Sequence, residues 1–409
     1  MPDLRSSGPP AARQAGWQAA RLALGTASAL GLARFAYGLL VPAMRDDLHW
    51  TLADAGAMSA ANGLGYLLGA LVTAAVVRRL GTVATFRWGM ALIAVSLAAT
   101  ALSGDYLALV AARTAAGAAG AAVFVTGGVI ASHLAARAAS GLPITVYFAG
   151  TGAGIVLSGV AVPALGDHWR LAWICLSVAA TVATLASWTA ARTDPDSTAA
   201  RPHEDAPAAG RARVRPLRRA ALAYLLFAAG YITYITFLSA YLDDRHASTV
   251  QVVLTWTALG LAVVAAPALW SRPARDWPAT RVLATLLGVL GGGAALALAA
   301  PTPPVILASA IVYGATFMGV PAAVTALIKG SAPPADWVAT LAAFTTLFAA
   351  GQTAGPWLAG ILADHTSTEA ALAWTAILCA AAAVVAATAS RSRPTASDRP
   401  DRLQEREGA

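Results

Sequence analysis

Two arginines stand inside long apolar runs: Arg34 in GLARFAYGLLVPAM (31–44) and Arg113 in LVAARTAAGAAG (109–120). A guanidinium stays protonated in proteins and only donates hydrogen bonds. Placed at mid-bilayer depth it costs about 2.5–3.5 kcal/mol on insertion scales. Each therefore needs a wet cavity or an acceptor. The carboxylates Asp46, Asp47, Asp54, Asp105, Asp167, Asp243, Asp244, Asp364 and Glu369 all fall at the ends of apolar runs. Carbonyls, hydroxyls, water or a bound anion must then serve Arg34, and Gly31, Gly38 and Pro42 loosen its helix enough to free carbonyls. Two readings stand. Arg34 lines a central cavity and attracts an anionic or strongly polar group, or it pins its helix to neighbouring carbonyls. Arg113, eight residues into its run, faces the same cavity or snorkels to nearby headgroups. Lys329 is the single lysine, so a preference for Arg over Lys carries no information on bidentate recognition.

Polar and aromatic residues recur at helical spacing. Tyr37 shares a face with Arg34, and Ser59, Asn62 and Tyr66 share another. Tyr147, Thr151, Gly154 and Ser158 form a third, Tyr224, Phe227, Tyr231, Tyr234 and Tyr241 an aromatic stripe, and Thr345, Phe348 and Gln352 a fifth. Cavity candidates are Arg34, Tyr37, Asn62, Tyr66, Arg113, Tyr147, Thr151, Tyr231, Tyr234 and Gln352. Tyr106, Tyr224 and Tyr241 read as interfacial anchors. A charged, polar first half and an aromatic second half suit an amphipathic organic anion. Asp54, Arg113 and His133 are coupling candidates, although Asp54 also fits a helix N-terminal residue and His133 a surface one. The six histidines show no metal-ligand spacing and no phosphate-cradling glycine loop occurs. No cofactor, metal, ATP-driven step or enzymatic acid–base set is expected. Cys175 and Cys379, inside apolar runs, read as packing residues.

Such residues need apolar elements to hold them. The 409 residues are 58% hydrophobic and 12% charged, against about 25% charged in soluble domains. Apolar blocks, each near the ~20 residues of a helical crossing, run over 20–44, 52–77, 82–102, 106–132, 142–165, 171–190, 217–242, 249–270, 280–300, 303–328, 337–363 and 370–390. The first continues to Met44 and reads as an uncleaved helix. With loops counted alternately, 23 of the 28 basic residues fall on one side and only Arg45, Arg170 and Arg245 on the other. The net charge of +8 thus reflects orientation, with both termini cytoplasmic, and no nucleic-acid partner is expected.

The polar segment 191–216 divides the helices six and six. GTGAGIVLSG (150–159) and GQTAGPWLAG (351–360) share the spacing G-x3-G-x4-G, and LAW recurs at 171–173 and 372–374, all at one offset of 201 positions. Gly65, Gly69, Gly117, Gly150, Gly154, Gly159, Gly351, Gly355, Pro356 and Gly360 read as packing and gating positions. Duplicated halves are a signature of secondary transporters.

With these features the chain resembles the major facilitator superfamily, and ARFAYGLLVPAM resembles the helix-1 signature of its bacterial YbfB/YjiJ-like branch. In the loop AAVVRRLGTVATFR (74–87), Arg79 and Gly81 fit that superfamily's pattern, but Arg78 occupies the acidic position. Arg113 and Gly117 match its helix-4 pattern, which implies cavity exposure and in some members proton coupling. Where antiporters carry Gly-Pro, Gly154 is followed by Ile155, so antiport is not implied. The resemblance implies an all-α membrane protein of twelve transmembrane helices in two pseudo-symmetric bundles, 18–190 and 217–390, with a cytoplasmic linker at 191–216 and tails at 1–17 and 391–409. The expected function is transport of a small anionic or polar organic solute across the bacterial inner membrane by alternating access. The solute moves alone or with protons or a counter-solute, and the protein acts as a monomer. Proton-coupled efflux of drug-like or sugar-like compounds and a non-transporting receptor or scaffold are the alternatives.

Overall fold

The computed structural model describes residues 9–191 and 211–390. Those parts of the expected tails and linker at 1–8, 192–210 and 391–409 lie outside the described residues, as does His203. Within them the chain forms twelve long helices and no strand. The rod α1 runs through Pro9–Thr26, a wide-turned segment Ala27–Phe35, and Tyr37–Leu48. There follow α2 (Leu52–Leu80), α3 (Thr82–Leu102), α4 (Tyr106–Arg137), α5 (Leu142–Ala161) and α6 (Trp169–Ser187). The second six are α7 (Arg218–Asp243), α8 (Thr249–Asp276), α9 (Ala279–Ala299), α10 (Pro303–Gly314 and Gly319–Ser331), α11 (Trp337–Asp364) and α12 (Thr368–Ser390). Eleven are long and apolar enough to cross a membrane. The other, α11, is 28 residues long; its threonines, glycines and Gln352 dilute its hydropathy.

Local chemistry sets the helix starts. Thr51 and Asp54 form a reciprocal capping box on α2, which satisfies two otherwise orphaned backbone donors. Asp105 caps α4 and Ser248 caps α8. Gly81 turns the chain between α2 and α3 at φ +81°, a conformation favouring glycine.

The first bundle is built on α2–α4, α3–α4, α3–α6 and α1–α5 contacts, the second on α7–α12, α9–α12, α8–α10 and α7–α11; the bundles meet along α5–α8, α2–α11 and α1–α7. Large apolar side chains such as Leu71, Val95, Val182, Leu185 and Ile377 are exposed around the outside, as expected of a surface facing lipid tails. Cys379 is buried, but Cys175 stands exposed on α6, so only Cys379 has the expected packing role. Tyr224 and Tyr241 are buried rather than interfacial. Tyr224 stacks on Phe227 and Phe348, and Tyr241 donates to the Ala297 carbonyl.

The repeated glycines have equivalent jobs in the two halves. Gly150 and Gly154 press α5 onto the carbonyls of Ala23 and Ala27 in α1, while Gly351 and Gly355 press α11 onto those of Leu225 and Ala229 in α7. The third glycine of each set crosses to the other bundle: Gly159 meets Trp256 of α8, and Gly360 meets the Leu52 carbonyl of α2. Gly65 and Gly69 lie against the Thr114 and Ala118 carbonyls, and Gly117 against that of Asn62, closing α2 on α4. The carbonyl of Pro356 lies against Gly56.

The described chain ends and residues 191 and 211 lie at one end of the helices, the terminal face; the other end is the far face. The bundles close on each other from mid-depth to the far face. There Asp364, at the end of α11, accepts from the backbone N–H of Leu52 and Ala53 (2.7 and 2.9 Å) at the start of α2. Trp256 seats its indole against Gly38 of α1 and its Cβ against Gly159 of α5, with its Nε1 donating to Ser239. Toward the terminal face a cavity of about 550 Å³ separates Phe124 and Phe148 of the first bundle from Val263, Pro267, Trp270 and Met318 of the second.

Candidate functional site

At mid-depth the wide-turned segment of α1 carries Arg34 to the seam between the bundles. Its wide turn is explicit in the bond from Ala36 N–H to the Gly31 carbonyl, five residues back. Such segments cluster at functional positions in helices. Within it Gly31 lets α5 pass so close that a Cβ there would fall 2.5 Å from the Gly154 Cα.

Arg34 is 8% exposed. Its Nη2 donates to the Tyr231 hydroxyl (2.9 Å) of α7 and to Gln352 Oε1 (2.5 Å) of α11. Tyr231 also donates to Gln352 Oε1 (3.2 Å), and Gln352 Nε2 reaches the Gly63 carbonyl of α2 (3.4 Å). All the acceptors are neutral. The guanidinium lies over the rings of Tyr66 (5.4 Å) and Tyr231 (6.0 Å). One cation from the first bundle is therefore held by two neutral groups of the second. Rather than the freed carbonyls expected near Gly31, Gly38 and Pro42, it uses a hydroxyl and an amide oxygen.

Aromatic faces extend from this point. Tyr231 stacks with Phe227, Phe317 and Phe348, and Tyr66 meets Phe124, which meets Phe148. Phe124 and Phe148 line the terminal-face cavity, so an aromatic wall links that cavity to Arg34.

A second polar group lies nearer the far face. Arg113 is 1% exposed, which rules out snorkelling: Tyr37 and Trp173 cover its guanidinium at 4.9 and 5.1 Å. Tyr37 donates to the Ala55 carbonyl (2.8 Å), and Asn62 donates to the Arg113 carbonyl (3.1 Å). Arg34, Tyr66, Tyr231 and Gln352 thus form one cluster, and Tyr37, Asn62 and Arg113 another. Tyr147 and Tyr234 belong to neither. Tyr147 is buried and clamps α5 to the Val123 and Phe124 carbonyls of α4. Tyr234 bonds Ser309 and stacks on Tyr313 at 4.0 Å. Thr151 is buried with its hydroxyl unpaired. Asp54 is committed to the Thr51 cap, and His133 is exposed near the terminal end of α4; neither bonds to either cluster. Among the described residues no His, Cys, Asp and Glu group could hold a metal ion.

Sequence reasoning missed Phe124, Phe317 and Trp173 at the site, and set Phe348 only on the face of Gln352. An aromatic in an apolar helix carries no sequence signal separating cavity wall from core. Trp173 had one clue, its recurrence in the repeated LAW.

At the terminal face, Asp336 accepts from the Arg211 backbone N–H (2.8 Å) and from Arg213 Nε (2.6 Å), fastening residues 211–213 to the start of α11. The Arg213 hydrogen bond, then that of Arg211, holds the Asp336 carboxyl below the usual carboxylate range.

The sequence profile of a family described as "Uncharacterised MFS-type transporter YbfB" matches residues 26–391. No curated protein matches the chain. Among solved structures, a single-site mutant of the nucleoside transporter NupG superposes with a TM-score of 0.70 at 15% identity, covering 92% of this chain and 98% of that one. A second NupG structure gives 0.65 at 14% identity, covering 93% and 98%. At these identities the likeness is one of fold.

Proposed function

The chain belongs to the YbfB family of major facilitator transporters and is a multi-pass membrane transporter of a small solute; on that premise we propose that its solute is an amphipathic organic anion anchored by Arg34. The observation that carries this reading is the pairing of Arg34 with neutral acceptors alone. A carboxylate is a stronger, charge-assisted acceptor than a phenol or an amide. An anionic solute arriving through the terminal-face cavity would displace Gln352 from Arg34 and lay its apolar body on Tyr66, Phe124 and Phe348. Because Gln352 and Tyr231 belong to the second bundle, displacement would also loosen a tie between the halves. Binding would then favour rearrangement, as alternating access requires.

The basic residues along the terminal face support a cytoplasmic placement of that face in a bacterial inner membrane, with bundles 18–190 and 217–390 moving as bodies joined by 191–216. A monomer suffices, since both halves of the seam come from one chain. Exchange of one anion for another, or facilitated diffusion, fits a site without a carboxylate better than proton symport does. Asp54, Arg113 and His133 stay the residues to vary if protons are carried.

The test pairs a thermal-shift panel of organic acids, nucleosides, sugars and organic cations with flux into proteoliposomes. Organic acids should stabilise the wild type, and Arg34→Ala should remove that shift. Losing a hydrogen bond to a charged group costs about 1.5–3 kcal/mol, so flux of the responding acid should fall at least tenfold. Unchanged flux in a folded Arg34→Ala variant would overturn the role of Arg34. Stabilisation by cations alone would overturn the anion preference.

A further inference from the structure

We propose that Arg113 is the seat of a second site, one for a small monovalent anion, set in the far-face half of the first bundle and independent of the Arg34 reading. None of its three guanidinium nitrogens, Nε, Nη1 and Nη2, has a hydrogen-bond partner among the described residues, although the side chain is 1% exposed. A buried charge without an acceptor is among the most costly arrangements a protein can hold.

None of the neighbours supplies the missing acceptor. The Tyr37 hydroxyl is turned to Ala55. The Trp173 Nε1 points to Met44 Sδ. Asn62 donates its amide N–H to the Arg113 carbonyl, and its Oδ1 makes no bond to the guanidinium. Asp54 is engaged by Thr51 and Asp47 by Trp169 and Arg170, and no carboxylate among the described residues bonds the guanidinium. Tyr37 and Trp173 offer ring faces, which attract a cation but accept no N–H along the guanidinium edge.

That edge calls for lone pairs carrying negative charge. A halide or a carboxylate head of formate size would meet this need with the least added volume. A doubly charged or bulky anion would not, because it would bring uncompensated charge or volume into a packed interior. The anion would neutralise Arg113 where α1, α4 and α6 converge, apart from the solute path at Arg34.

The test is thermal unfolding of the purified full chain, titrated with sodium chloride, nitrate or formate against sodium sulfate at matched ionic strength. The wild type should show a saturable rise in Tm with a monovalent anion. Arg34→Gln should keep that response and Arg113→Gln should lose it. In sulfate alone Arg113→Gln should match or exceed the wild type in Tm, since the unpaired cation is gone, and adding the anion should reverse the order. A response to chloride identifies an inorganic occupant, and a response to formate alone identifies the head of an organic acid. No saturable response in the wild type, or the same response in Arg113→Gln, would overturn the site. Should Arg113→Gln fail to fold, bromide soaked into wild-type crystals gives a separate reading: an anomalous peak beside Arg113 supports the site, and none at saturating bromide refutes it. Loss of solute transport in Arg34→Ala leaves these outcomes untouched, so the two proposals fail separately.

Discussion

At the scale of single residues, what distinguishes the Arg34 cluster is that each member is needed by another. Gln352 Oε1 accepts from both Arg34 and Tyr231. Gln352→Leu would leave a buried cation one acceptor short, at a cost of roughly 1–3 kcal/mol. The variant should melt lower than wild type without solute and recover more than wild type does when a binding organic acid is added; equal shifts in both would argue against displacement of Gln352 by solute. A residue-scale effect of pH belongs to Asp336. Its folded-state carboxyl sits below its unfolded value because of Arg213 and Arg211. The staple it makes is therefore present above the ordinary carboxylate range and lost as pH falls through the depressed folded value. Hydrogen exchange at residues 211–213 should be slow at neutral pH and speed up well below pH 4 beyond the intrinsic change, whereas Asp336→Asn should exchange fast throughout. Arg34, Tyr231 and Gln352 were each legible in the sequence as polar groups in apolar helices. Their meeting was not, because no spacing rule relates α1 to α7 and α11. For the same reason Tyr147 and Tyr234 looked like cavity residues and proved to be clamps inside single bundles.

At the scale of helices, small residues decide how near two backbones come. A Cβ at Gly65 would stand 2.0 Å from the Thr114 carbonyl oxygen, whereas at Gly16 it would meet nothing within 4 Å. Gly65→Val should therefore force α2 off α4 and lower Tm by several degrees or prevent recovery of folded protein, as overpacking costs about 1–3 kcal/mol. Gly16→Ala should leave Tm unchanged or slightly higher. Circular dichroism melts in detergent would read both. The helices themselves were largely legible: all twelve apolar blocks became helices, and the G-x3-G-x4-G repeat marked real contacts. The wide turn of Ala27–Phe35 was not. It lies where α1 passes tightly over Gly154 and where Arg34 reaches the seam, and a local apolar pattern carries neither.

At the scale of the whole molecule, the bundles are joined at the far face and parted at the terminal face. The Asp364 carboxylate capping the start of α2 is one fastening, and an N-terminal cap is worth roughly 1 kcal/mol. Asp364→Ala, which removes both acceptor oxygens, should raise the population open to the far face about fivefold. Labelling of a cysteine placed at Ser59 by a membrane-impermeant thiol reagent, in a background with Cys175 and Cys379 replaced by serine, measures this. No rise in labelling rate would remove Asp364 from the gate. The duplicated glycines could be read as close-packing positions, but neither the helices they would meet nor which face would be shut, since a sequence repeat is silent on which of two tilts its halves adopt. Trp256 bears on how that face gives way. This one residue of the second bundle touches two helices of the first, its ring reaching Gly38 of α1 and its Cβ reaching Gly159 of α5, so opening this face must release both contacts. Since α1 and α5 also pack on each other, parting at this end draws on both holds of that single side chain.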